Sequence, residues 1–139
     1  MLSLSNTPNA ASNLQTAVPL TLVSGGSYRQ REAHIAACID HDQKHAKSVG
    51  RVAVLLEGLP EGDLLLSDTQ QLYLQRIAPG CFCCIGNLTM RVSLNRALRQ
   101  RPQHVYLGVA SSEHLNNLRL TLQQSPYDQL LKTVESVAL

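Results

Sequence analysis

The chain has no tryptophan, one phenylalanine and an aromatic content of 4%. Single-stranded nucleic acid is held on stacked aromatic side chains, and no such set exists here. Charge is scarce as well. Only 16% of residues are Asp, Glu, Lys or Arg, and the net charge is +2. That field is too weak to draw the chain to nucleic acid or to an anionic membrane surface. No apolar run approaches the ~18 residues that a membrane-spanning helix requires. The opening stretch MLSLSNTPNAASNLQTA lacks the positive start and sustained apolar segment of a signal peptide. Residues 1–17 are therefore expected to form a flexible lead-in, and the chain is expected in the cytoplasm.

What is present is globular material. With 139 residues and 44% apolar composition, the chain can bury one real core. It shows no internal repeat, and a single domain is expected over residues 18–139. VPLTLVSGG (18–26), GRVAVLLEG (50–58) and HVYLGVA (104–110) are short apolar runs that suit buried strands. QLYLQRIA (71–78) alternates and suits a fourth. Residues 28–47 contain no Gly or Pro and predict a helix. The 90, 94, 98 spacing of Met90, Leu94 and Leu98 predicts another over 87–100. SSEHLNNLRLTLQQ (111–124) places Leu115, Leu118 and Leu122 on one face behind a serine cap. Ser125-Pro126 is expected to open a last helix. Strands alternating with helices predict an α/β, three-layer domain with a small, mostly parallel sheet of three or four strands. In such folds ligands sit beyond the carboxyl ends of the strands. Those ends are Gly25-Gly26, Glu57-Gly58, the segment 79–84, and Ala110-Ser111.

Three of the four cysteines fall in that segment, PGCFCCIGN (79–87). Thiolates at C-x-C-C spacing can bind a soft or borderline cation such as Zn²⁺ or Cu(I). The same thiols also suit burial as small hydrophobes, or oxidation of Cys81 with Cys83. Three ligands leave an open position for water, Glu57, a histidine or a second chain.

GCFCC (80–84), after a short strand and before a helix, resembles the GCxCC motif of the CobW-type P-loop GTPases, a metallochaperone-like family. The resemblance covers roughly residues 18–125. VPLTLVSGG is similar to the family's strand entering the P-loop, and RVAVLLEG to a second strand that ends with Glu57 at the family's Glu. It implies a truncated P-loop GTPase-like core without the C-terminal domain, with Cys81, Cys83 and Cys84 as ligands, zinc as the ion, and Gly25, Gly26, Arg31 and Glu57 at the nucleotide site. The nucleotide motifs are degenerate. A P-loop reads G-x-x-x-x-G-K-[ST]. Here the second Gly is Gln30, the Lys is Arg31 and the hydroxyl is Glu32. A carboxylate at the last position would repel phosphate by about 4 kcal/mol per charge pair at 4 Å and an effective dielectric near 20. Gly108 falls where the Walker B acid belongs. GTP is therefore not expected as a cofactor, and no catalytic residue is assigned.

A second constellation is His34, Cys38, His41 and His45, spaced 4, 3 and 4 along one helix face. Histidines one turn apart can share a metal. Solvation near a helix C-terminus is the plainer reading. Arg91, Arg96, Arg99 and Arg101 suit a solvated face, and Ser111 or Ser112 beside Glu113-His114 suits a helix cap. The resulting expectation is a non-enzymatic protein that binds zinc for delivery, storage or sensing. Its partners would be the metal ion and either a second copy or a metal-receiving protein. The alternatives are an active GTP-dependent metallochaperone and an interaction module that forms a homodimer or joins a full-length partner.

Overall fold

A computed structural model describes residues 17–45, 50–79 and 88–139. Among these residues, five strands and four helices are set in the order β1 (Val18–Ser24), α1 (Tyr28–His45), β2 (Val52–Glu57), β3 (Leu72–Ile77), α2 (Leu88–Arg99), β4 (His104–Val109), α3 (Ser112–Leu122), α4 (Tyr127–Leu130) and β5 (Leu131–Ala138). The strands form one sheet in the order β3-β2-β4-β1-β5, and every neighbouring pair is parallel. The expected α/β class and parallel sheet are what the chain builds.

The strands are apolar almost continuously because both faces are covered. Side chains alternate between the two faces with a period of two. Leu20, Leu22, Ala53, Leu55, Val105 and Leu107 meet Met90 and Leu94 of α2, Leu115 and Leu118 of α3, and Tyr127 of α4. Val23, Val52, Val54, Leu56 and Tyr106 point the other way, against Tyr28, Ile35 and Ile39 of α1. One helix thus covers one face and three cover the other. Ser111 caps α3, its Oγ accepting the amide of His114 at 3.2 Å.

The C-terminal segment departs from expectation. The helix opened by Pro126 lasts one turn, Tyr127–Leu130, and LKTVESVA then runs as a strand along β1. Thr133, Val134 and Val137 are β-branched and fit a pleated ribbon better than a helix. The strand also pairs backbone groups of β1 that would otherwise lie at an open edge. The sheet therefore has five strands, not three or four. A register shift at Leu20/Thr21 accommodates Val134. Among the described residues no helix is long and apolar enough to cross a membrane.

Candidate functional site at the carboxyl edge of the sheet

Glu57 closes β2 and is fully buried. Its Oε1 accepts the amide of Ala110 at 2.8 Å. His114, in the first turn of α3, places Nδ1 at 2.8 Å from Oε1 and 2.7 Å from Oε2. With the Glu57 carboxylate ionised and the ring neutral, Nδ1 donates its hydrogen to the carboxylate and Nε2 keeps its lone pair. The imidazole is 14% exposed and its carboxylate 0%, so the ring is held from the protein side and is partly open to solvent. A carboxylate that holds a histidine in this way is the usual support for an imidazole that binds a metal or accepts a proton.

Three of the residues expected at a nucleotide site are brought together by the fourth. The Arg31 guanidinium donates from Nη1 to the carbonyls of Gly25 at 2.9 Å and Gly26 at 2.7 Å, and from Nη2 to the carbonyl of Glu57 at 3.1 Å. Arg31 is 3% exposed. Burial lowers its pKa from the ordinary arginine value, and nearby Glu57 opposes that fall. Arg31 therefore ties the β1–α1 turn to the end of β2 instead of reaching outward. Both glycines of the turn have positive φ, 77° and 61°, a conformation a side chain would resist.

The start of α1 is likewise closed by the protein's own groups. Ser27 Oγ accepts the Gln30 amide at 3.1 Å, and Gln30 Oε1 accepts the Ser27 amide at 2.8 Å. This reciprocal pair is a capping box. Glu61, from the loop after β2, accepts the Arg29 amide at 3.0 Å. Its pKa is lowered, first by that amide and then by the Ser27 side chain. A carboxylate thus already lies against the positive end of the helix.

Glu32 is not at the turn. Its carboxylate is paired with Arg76 of β3, Nη1 to Oε1 and Nη2 to Oε2 at 3.0 Å each, and Oε2 also accepts the amides of Leu65 and Leu66 at 2.8 Å. The expected clash with phosphate is replaced by a buried structural ion pair. Gly108 has its own reason: a Cβ there would stand 2.3 Å from Leu56 Cδ1 and 3.5 Å from Ile35 Cδ1. The packing of α1 on the sheet fills the space an acid would need.

Cys81, Cys83 and Cys84 lie outside the described residues. Their segment begins just after Ile77, whose carbonyl accepts the Gly58 amide at 2.9 Å beside Glu57. The chain therefore enters the cysteine motif from the same edge of the sheet. Of the histidine stripe, His34 and Cys38 are half-buried and His41 and His45 are exposed. Among the described residues no three His, Cys, Asp or Glu side chains are placed to hold one ion. Arg96, Arg99 and Arg101 are exposed, as a solvated face requires, whereas Arg91 is half-buried and donates to Gln124 Oε1 at 2.6 Å.

Sequence reasoning missed the Glu57–His114 pair. Its signal was Glu57 itself, an acid ending a run of apolar residues. No protein-family model, no curated protein and no solved structure matches this chain. The CobW-type resemblance rests on the quoted motifs alone.

Proposed function

We propose that the domain binds a divalent transition-metal ion, zinc foremost, for delivery, storage or sensing, and does not hydrolyse nucleotide. Cys81, Cys83 and Cys84 supply thiolates, and His114 Nε2 supplies the fourth donor. The observation that carries the reading is the buried Glu57 carboxylate holding His114 through Nδ1 at the edge from which the cysteine segment leaves. Three thiolates and one imidazole make an ordinary tetrahedral zinc set. The thiols require a reducing compartment, which agrees with the cytoplasm. Delivery would pass the ion to a metal-receiving protein.

The GTP-dependent reading has less support. Arg31 is engaged by three carbonyls, and the α1 terminus by Glu61 and the capping box. An interaction module draws support from β5, an edge strand with Val134 54% exposed. The deciding experiment titrates Zn²⁺ against a competing chelator with wild type, the Cys81/Cys83/Cys84 triple serine variant, His114→Ala and Glu57→Gln, with GTP tested in the same buffer. The proposal expects tight binding abolished in the triple variant, weakened by roughly 10- to 100-fold in Glu57→Gln, and unaffected by GTP. Equal affinity in wild type and triple variant would overturn it. A dimer indifferent to metal and GTP would favour the interaction module.

A further inference from the structure

The two outer strands of the sheet are finished differently. At β3 the preceding loop bonds the edge. The Leu72 amide meets Thr69 Oγ1 at 3.1 Å, the Leu74 amide meets Asp68 Oδ1 at 2.9 Å, and the Leu72 carbonyl accepts the Thr69 amide at 2.8 Å. These groups turn away from β2, so the protein itself occupies the outer row of β3 at Leu72 and Leu74. Among the described residues β5 has no such cover. It ends the sheet beyond β1, and Lys132, Thr133, Val134, Glu135 and Ser136 are exposed in succession. A strand with one neighbour presents a row of unpaired N–H and C=O groups to whatever can pair with it.

The register shift in β5 arranges its charges. Leu20 stands opposite Thr133 and Thr21 opposite Glu135, so Val134 is the extra residue. Lys132 is in register with Pro19 and Glu135 with Thr21. Pro19 and Thr21 are two positions apart and share a face of the sheet, so Lys132 and Glu135 share that face too. In an unbroken strand residues three apart point to opposite faces. The shift aligns their backbones as well. Ser24 accepts the Leu139 amide and Gly25 donates to Val109 of β4, so Leu20 and Leu22 turn toward β5, as Ser24 does. Lys132 and Glu135 are in register with the residues beside them and direct their own backbone groups at β1. On the outer side both therefore occupy non-hydrogen-bonded positions, where facing side chains of an antiparallel partner come closest. Among the described residues neither belongs to an ion pair.

We propose that β5 pairs with β5 of a second copy, antiparallel, about a two-fold axis between Thr133 and Val134. In this register Lys132 of each copy stands opposite Glu135 of the other. Leu131 stands opposite Ser136, and these two also share a face, lining one groove with Leu122 of α3. Thr133 and Val134, both β-branched, meet at the axis. Opposite charges directly across an antiparallel pair stabilise it, and like charges destabilise it. A register centred on Lys132 would set two lysines face to face, and one centred on Glu135 two glutamates. The charges thus select the one arrangement that satisfies both ends at once. A lysine and a bulge on an edge discourage indiscriminate pairing, and a self-complementary strand accommodates both. The contact is isologous, so it closes at two chains. Since β4 and β1 separate β5 from β2 and its Glu57, the pairing gives a second copy a surface distinct from the carboxyl-edge site and holds with or without a bound metal.

The test is sedimentation of the full chain over a concentration series, in reducing buffer with a chelator, alongside native mass spectrometry. The expected result is a monomer–dimer equilibrium with no larger species. Lys132→Glu and Glu135→Lys should each weaken the dimer by about tenfold or more, because two attractive pairs become two repulsive ones. The double reversal Lys132→Glu/Glu135→Lys should return the affinity to within about threefold of wild type, since the two sites are coupled through the partner. Added salt should weaken the wild-type dimer and strengthen those of the single variants. Both residues are exposed, so the variants keep the fold, which circular dichroism checks. A monomer at every concentration would overturn the pairing and leave the edge to a different chain. So would single reversals that change nothing, or a double reversal that restores nothing. Zinc affinity should be equal in wild type and the reversal variants, and the Cys81/Cys83/Cys84 triple serine variant should dimerise as wild type does. The dimer and the metal reading therefore fail separately.

Discussion

Replacing Arg76 by methionine should be among the most damaging single changes outside the apolar core. Arg76 holds both oxygens of Glu32, donates to the Tyr28 hydroxyl, and reaches the carbonyl of Leu66 at 2.8 Å. The Glu32 side chain is 2% exposed and that of Arg76 21%. Breaking a buried pair from one side costs about 3–5 kcal/mol, because the remaining charge loses its partner in a place water hardly reaches. Arg76 admits some water, so the lower figure applies, about 3 kcal/mol. Against a typical total of about 5–15 kcal/mol, that is a large share of the stability. Urea unfolding at pH 7 measures it. The pH dependence supplies a second arm. Burial would raise the Glu32 pKa, but Arg76 and the amides of Leu66 and Leu65 outweigh it, and the carboxyl sits below its ordinary value. The folded pKa is depressed, so this contribution is present above the ordinary carboxylate range and disappears as pH falls through the folded value. In Arg76→Met, burial acts with one opponent fewer and the folded pKa rises. The cost of the substitution should therefore shrink as pH is lowered and Glu32 takes up a proton. The double variant Glu32→Gln/Arg76→Met should be no less stable than Arg76→Met alone, since the glutamine oxygen can still accept the two amides. A cost below about 1 kcal/mol, the value of an exposed pair, would refute the reasoning.

Gly108→Ala should lose about 1–3 kcal/mol in urea unfolding, because the new methyl meets Leu56 at a fully buried contact; trimming Leu56 to valine in the same chain should recover part of the loss. Ser27→Ala removes the Oγ that accepts the Gln30 amide and should cost about 1 kcal/mol, read as a lower thermal midpoint. Leu131→Ala, at the one well-buried position of β5, should cost about 2 kcal/mol or more. It should also speed hydrogen exchange of the amides paired between β1 and β5 more than those between β2 and β4; uniform acceleration would mean β5 is not a separable unit.

Most of the fold was legible because buried parallel strands leave a strong trace. The runs around Val52–Glu57 and His104–Val109 are apolar without interruption and are bounded by breakers, so their number and type follow from pattern alone. The last strand was not legible for two reasons. Ser-Pro is a sound helix opener and does open one turn. After it, Leu131, Val134 and Val137 stand three apart, which suits a helix face, and the β-branching of the valines and the pairing with β1 decide for a strand. At the site, Glu57 and Arg31 were legible as charged residues at strand and helix ends. The partner of Glu57 was not, because His114 lies 57 residues away and only the β2–β4 pairing brings the two together.

The carboxyl edge shows why charge type alone misleads. In this stretch, residues 25–32 keep the first glycine and a cation of a phosphate-binding loop, and the fold seats them where such a loop would lie. Three of the charged groups there nevertheless have an internal counterpart: Arg31 the turn carbonyls, Glu61 the Arg29 amide, Glu32 the Arg76 guanidinium. An incoming phosphate would have to displace Glu61 from the helix terminus and would find both Nη groups of Arg31 already engaged by carbonyls. His114 differs in one respect. Its protein partner, a fully buried carboxylate, meets Nδ1, and the imidazole as a whole keeps 14% of its surface exposed. Glu57 orients the His114 ring through Nδ1, and a ring so held can still use its other nitrogen, which is why the functional proposal is built on His114 and not on the loop.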